Sequence, residues 1–130
     1  MTFQAVREEL AELYTTAFPD WSVYDFVPGS ANLNSIVVGL PDSLTPNVTG
    51  AFWSMILPVY VVTGSASPEA QESALLAVIP AVVAAVDGTR GTSFASARST
   101  EVREFFDIQV GQSSALSCSI MVELLINNPQ

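Results

Sequence analysis

The chain has 130 residues, 49% of them apolar and only 13% charged; this specifies one globular domain over residues 1–130 and excludes a disordered chain. Its four cations are all arginine, set against thirteen acids and no histidine, for a net charge of −9. That balance excludes tight nucleic-acid binding, which needs clustered cations, and it removes the commonest general base, the commonest zinc ligand and all lysine chemistry.

Thr2 to Phe18 carries a helical period. Phe3, Val6, Leu10, Leu13 and Ala17 fall on one side, with Arg7, Glu8, Glu9 and Glu12 on the other as a solvated face. Thr2 can cap the first turn and Pro19-Asp20 stops the helix. No basic segment followed by an apolar one opens the chain, so a signal peptide is not expected, and a soluble, cytoplasmically made protein is. Trp21 to Val27 is aromatic and β-branched and predicts a strand, ended by Pro28-Gly29-Ser30. Asn32 to Leu40 predicts a second, centred on Ile36, Val37 and Val38. Pro41 to Gly50 is a turn-rich loop, in which Asn47-Val48-Thr49 is formally a glycosylation sequon but reads as a turn. Phe52 to Val62 is apolar on both faces and predicts a central strand covered on both sides. Pro58 lacks an N–H, so the strand either has an edge there or bends at a bulge, and Val59 to Val62 is its firmer half.

Ser67-Pro68-Glu69 is a helix start: a hydroxyl cap, proline at the first position, and an acid facing the dipole. The helix runs from Pro68 to about Val86 and ends at Asp87-Gly88. Leu75, Leu76, Val78, Ile79, Val82, Val83 and Val86 make it apolar nearly all round, which predicts burial against the sheet and against a neighbouring subunit. Pro80 costs about 3 kcal/mol in a helix interior and predicts a kink or a split. The longest apolar run, Ala74 to Val86, falls short of the about 20 residues that span a bilayer. Gly88 to Thr100 reads as a mobile loop with a short strand near Phe94. A hairpin follows, with Glu104, Phe106, Ile108 and Val110 alternating against Arg103, Phe105, Asp107 and Gln109. After the turn Gly111-Gln112-Ser113-Ser114, Leu116, Cys118, Ile120, Val122, Leu124 and Ile126 share one face and Ser117, Ser119 and Glu123 the other; Asn127 begins a polar tail. This order predicts an α+β fold: a mixed or antiparallel sheet with an N-terminal helix and a long central helix packed on it, closed by a C-terminal β-hairpin.

Little in the chain carries chemistry. Gly88-Thr89-Arg90-Gly91-Thr92-Ser93 looks like a phosphate-binding loop, but it follows a helix and lacks the lysine. Cys118 lies on the core face with no histidine to activate it and reads as buried filler. Asp20 with Asp25, and Glu101 with Glu104 and Asp107, are the available carboxylate sets; they read as strand acids that blunt unwanted sheet pairing. No catalytic, cofactor or metal site is expected, and the chain reads as a non-enzyme that works through protein contacts. A small ligand-binding domain or acid-dependent enzyme, using a hydrophobic cavity under the long helix, is the alternative from another class.

The phrases VYDFVPG, WSMILPVYVVTG, SPEAQESALLAVIPAVVAAVD and FFDIQVGQSSALSCSIMVELLI, in that order, resemble the tail terminator proteins of long-tailed bacteriophages, particularly those of phages of actinobacteria. The resemblance spans most of the chain and is one of layout. It implies a homohexameric ring at the head-proximal end of the tail tube, which stops tube polymerisation and joins the tail to head-completion or connector proteins. The implied partners are further copies of the chain, the tail tube protein and the connector, with DNA passing an acidic lumen unbound and no membrane. The implied location is the virion, assembled in the host cytoplasm. Another connector, or a tube or minor tail subunit, shares this size and style. Contacts are expected from the Pro41–Gly50 and Gly88–Thr100 loops, with Asp42, Asn47, Arg90 and Arg98 as the candidate interface residues.

Overall fold

The computed structural model describes residues 2–28, 33–47, 51–64, 67–110 and 113–127. In chain order they form α1 (Phe3–Ala17), β1 (Ser22–Tyr24), β2 (Ser35–Val38), β3 (Ser43–Pro46), β4 (Phe52–Thr63), α2 (Pro68–Val86), β5 (Phe94–Val110) and β6 (Ser113–Asn127). The strands make one six-stranded sheet in the order β1-β2-β4-β6-β5, with β3 also beside β4. β1 and β2 run parallel and every other pair is antiparallel, so the fold is α+β. The ends of three expected features, Gly29-Ser30, Val48–Gly50 and the turn at Gly111-Gln112, lie outside the described residues, as does the tail beyond Asn127.

β4 and β6 form the centre, paired without interruption from Phe52 opposite Asn127 to Thr63 opposite Leu116. Alternation sends Met55, Leu57, Val59 and Val61 to one face, joined there by Cys118, Ile120, Val122, Leu124 and Ile126, and solvent reaches none of them. Val6, Leu10 and Tyr14 of α1, with Leu75, Val82 and Val86 of α2, close over this face. Each such side chain contributes about 1.5–3 kcal/mol on leaving water. Cys118 is packed as the sequence implies, and burial pushes its thiol up to about 11.

α1 starts where expected, with Thr2 Oγ1 accepting from the Ala5 N–H at 3.0 Å. Its buried stripe is Val6, Leu10, Ala11 and Tyr14, while Ala17 is exposed. Arg7, expected on the solvated face, is instead buried. Its Nη2 donates to the Val38 carbonyl at 2.8 Å and its Nη1 to Gln4 Oε1 at 2.9 Å. The β1 ladder stops at Val37, so Arg7 supplies a donor just past the last rung of β2. Tyr14 Oη is fully enclosed and has no hydrogen-bond partner among the described residues. Burial, together with nearby Asp87, holds its pKa above the ordinary tyrosine value.

Pro58 explains how the other flank of β4 is built. β2 pairs with Val59 to Val62, and β3 pairs with Trp53 to Ile56. Both run antiparallel to β4, so they are two halves of one edge, interrupted at Gly39–Asp42 opposite Leu57-Pro58. The Pro58 carbonyl accepts from the Gly39 N–H at 2.8 Å, so the side of Pro58 that lacks a donor faces this interruption. Of the two outcomes expected for Pro58, an edge and a bulge, the structure has an edge, and β4 stays one strand. The Pro41–Gly50 loop is accordingly corrected: Ser43–Pro46 is a strand, because the vacant flank of β4 offers ladder partners that a turn-rich sequence does not advertise. A Cβ on Gly39 would lie 2.8 Å from the Pro58 oxygen and 2.9 Å from its Cγ, so only glycine fits the crossing.

α2 is capped by Ser67, whose Oγ accepts from the Ala70 N–H at 3.3 Å. It ends with Gly88 at φ 74°, as its sequence dictates. The helix is continuous through Pro80, with no split. Its apolar surface is not buried on all sides: Gln71, Leu75, Val82 and Val86 face the core, whereas Ala74, Leu76, Ala77, Pro80, Ala81 and Ala84 are exposed. By length and composition alone, Glu69–Val86 is long and apolar enough to cross a membrane, although its inner stripe is part of the core.

β5 departs furthest from expectation. In place of a mobile loop up to Thr100, the strand begins at Phe94 and pairs with β6 to Val110, with register shifts at Phe94/Ser96, Ser99/Glu101 and Arg103/Phe106. These bulges break the period of two by which a strand is read. The sheet's free edges are blunted: β1 and β3 are short, β3 ends in a proline, and β5 is bulged and charged.

Two outcomes follow from this packing. Tyr14→Phe removes an unpaired buried hydroxyl and raises stability by up to about 1–2 kcal/mol in a denaturant titration; a loss of stability would mean that the hydroxyl has a partner. Gly39→Ala forces the β2–β3 crossing off Pro58 and lowers stability by about 1–3 kcal/mol, read as a shifted denaturation midpoint with unchanged slope.

Candidate interaction surface

The segment Gly88–Ser93 between α2 and β5 is held from below by Glu9. Glu9 Oε1 accepts from the Thr92 N–H at 2.5 Å, and Oε2 accepts from the Ser93 N–H at 3.0 Å. The hydroxyls of Thr92 and Ser93 also donate to Oε2. The phosphate-loop look of this segment therefore has a structural basis: its backbone N–H groups do gather an anion, but the anion is the chain's own carboxylate. Glu9 was expected in a solvated acid row, and the correction comes from a partner 83 residues away. A Cβ on Gly91 would collide with Glu9 Oε1 and push the carboxylate out of its place, so the glycine leaves room for the clamp.

Desolvation pushes the Glu9 carboxyl up, but the donors of Ser93 and Thr92 outweigh it and hold its pKa below the ordinary 4.5. A carboxyl whose pKa falls on folding contributes stability that is present above the unfolded value and lost as pH drops through the folded one. Arg90 stands on this anchored loop, exposed, and pairs with no acid among the described residues.

The other expected interface residues are more committed within the chain. Arg98 lies in β5, not in a loop, and its Nη2 is 3.5 Å from Glu123 Oε1. Asp42 sits at the β2–β3 interruption, where its N–H donates to the Ile56 carbonyl at 2.7 Å. Its carboxylate is 3.5 Å from Arg103 Nη2. Asn47 is exposed at the end of β3, and its N–H donates to Phe52 at 2.8 Å. The four residues thus stand on different parts of the fold: the β2–β3 interruption, the end of β3, the segment between α2 and β5, and β5 itself.

Arg103 is the residue that sequence reasoning missed. It reaches over the outer face of β6 and β4 to Asp42, and Glu101 and Glu104 lie 3.7 and 3.4 Å from it. Ser119 Oγ donates to Glu104 Oε2 at 3.2 Å beneath this cluster. Tyr60, opposite Ser119 in the ladder, has its pKa raised by burial and then by Glu104 and Asp42. One cation among three acids leaves this face net negative. The available sequence signal was an arginine between acids in an alternating segment. It could not say that Asp42 lay across the sheet.

Glu104 also has φ 60°, a left-handed conformation that costs a non-glycine residue about 1–2 kcal/mol. It sits in the Arg103/Phe106 register shift, where Glu104 and Phe105 together oppose Cys118. Regular alternation would put Glu104 on the helix side and Phe105 outside. The bulge instead keeps Glu104 outside with Arg103 and turns Phe105 toward α2. There Phe105 lines an open cleft of about 360 Å³ with Glu72, Leu75, Leu76 and Leu116. Phe105 remains 51% exposed and Leu76 62% exposed. The cleft flanks the start of α2; the space beneath the helix is filled by Leu75, Val82 and Val86.

No protein-family model matches the chain, and no curated protein sequence matches it. In fold it is similar to a chain from the virion of a native gene transfer agent particle, with a TM-score of 0.51 and 20% identity. The likeness covers 96% of this chain and 94% of that one. At that identity it is a likeness of fold, end to end.

The Glu9 clamp gives a pH-dependent expectation. Glu9→Gln lowers stability by about 1–2 kcal/mol at neutral pH, and the gap between variant and wild type closes as pH falls below 4.5, the ordinary carboxyl value. A gap that persisted unchanged at pH about 3 would contradict a role for the charged carboxylate.

Proposed function

We propose that this chain is a structural protein of a phage-like virion and, within it, the tail terminator: a ring subunit that caps the head-proximal end of the tail tube and meets the head-completion proteins. The observation that carries the reading is the end-to-end likeness of fold to a chain of a gene transfer agent virion, which leaves no substantial part of either chain unmatched. Three physical features support it. The net charge of −9 suits the wall of a channel through which DNA must slide without sticking. The exposed apolar face of α2 and the exposed Phe105 suit a subunit that buries more surface on assembly. The clusters of polar side chains are spent on internal ties, Glu9 on the Gly91–Ser93 loop and Arg103 on its acids, which suits a mechanical part better than a catalyst.

The ring is proposed as a homohexamer, with the tube protein and a connector protein as its two axial neighbours. Particles assembled without this chain and imaged by electron microscopy should show tails of uncontrolled, mostly excessive length and few joined heads. Tails of normal, uniform length joined to heads would sink the terminator reading.

A further inference from the structure

We infer that the cleft between α2 and β5 seats a second copy of this chain, whose Arg90 faces Glu72 while its surface covers Leu76 and Phe105. This rests on the assembly reading above and names the surface through which copies would meet. A strained bulge shapes this cleft. Glu104 adopts φ 60° and so turns Phe105 to the helix side, yet Phe105 stays half in water beside a still more exposed Leu76. Within one copy the arrangement holds apolar side chains at a solvent-open cleft; with an occupant, it presents a preformed pair of anchors.

Charge selects the same surface. A chain at −9 repels its own copies over most of its surface, so copies must meet where charge is sparse or matched. The α2 sequence from Ser73 to Val86 carries no charged residue, and Glu72 is the one charged residue lining the cleft among the described residues. Arg7 is buried on Val38, Arg98 faces Glu123, and Arg103 faces Asp42, Glu101 and Glu104. That leaves Arg90 as the arginine with no acid beside it among the described residues, and Glu9 holds its loop in place.

Geometry places the pairing between copies. Glu72 lies near the start of α2 and Arg90 lies beyond its end, about 20 Å apart along the axis at 1.5 Å per residue. They cannot pair within one copy. Pairing between copies joins unlike ends of the helix; an antiparallel two-fold contact satisfies this twice over, and a heterologous contact satisfies it once per neighbour and, repeated, closes into a ring when the rotation permits.

Charge exchange tests this on exposed side chains that contribute nothing to the core. Sedimentation across a concentration series should show Glu72→Arg and Arg90→Glu each weakening self-association by roughly tenfold or more, and the doubly exchanged chain recovering most of it. Leu76→Gln and Phe105→Ser should weaken association comparably, with circular dichroism melts showing each variant folded. Wild-type chain that stays monomeric through the high micromolar range, or single exchanges that associate as wild type does, would overturn this surface. Rings that form undiminished in the variants would remove the surface and leave the ring standing. The exchange pattern holding while tails made without the chain keep normal length would remove the terminator reading and leave the surface standing.

Discussion

The pairing of β4 with β6 is the constraint on which the rest of the molecule depends. Every helix contact with the sheet's centre is made on the alternating residues these two strands send to one face. The ladder tolerates Pro58 because β6 lies on the side that the proline leaves intact. The opposite flank cannot be continuous there, so the chain crosses on Gly39 and resumes as β3. The position of Asp42 follows from that crossing, and so does the ion pair it makes with Arg103.

Local signals in the sequence read well where the physics was local. Both helices start and stop within a residue or so of their caps, since Thr2, Ser67-Pro68 and Gly88 act on their own turns. The inner face of β6 was legible for the same reason: six apolar residues at a period of two have one reading. β3 was not legible, because Ser43–Pro46 has no apolar alternation and is a strand only by virtue of the vacant edge beside it. β5 was half legible, since its bulges shift the period that identifies a strand. Buried Arg7 and clamped Glu9 look like solvated helix charges until their distant acceptor and donors are placed. The exposure of Arg90 could be read from its glycine-rich loop. The commitments of Arg98 and Asp42 could not, because Glu123 and Arg103 lie on other strands.

Strain and exposure are distributed unevenly across the chain. The core has close to complete enclosure, and the free sheet edges are short, bulged or charged, which discourages open-ended strand addition. Against that protected background stand an uncharged helix face and a half-exposed phenylalanine, Phe105, turned toward it by a left-handed glutamate. This division, blunted edges and a separate apolar face, suits the proposed ring subunit, which would join copies of itself without polymerising through its edges.

The most direct test of the virion assignment is a cryo-electron microscopy reconstruction of the neck region of particles that carry this chain. The account predicts a closed ring of copies of this fold, six-fold about the tail axis, seated on the last tube ring with acidic residues toward the lumen. Density for the chain elsewhere, in the tube wall or the distal tail tip, or its absence from the particle, would contradict it.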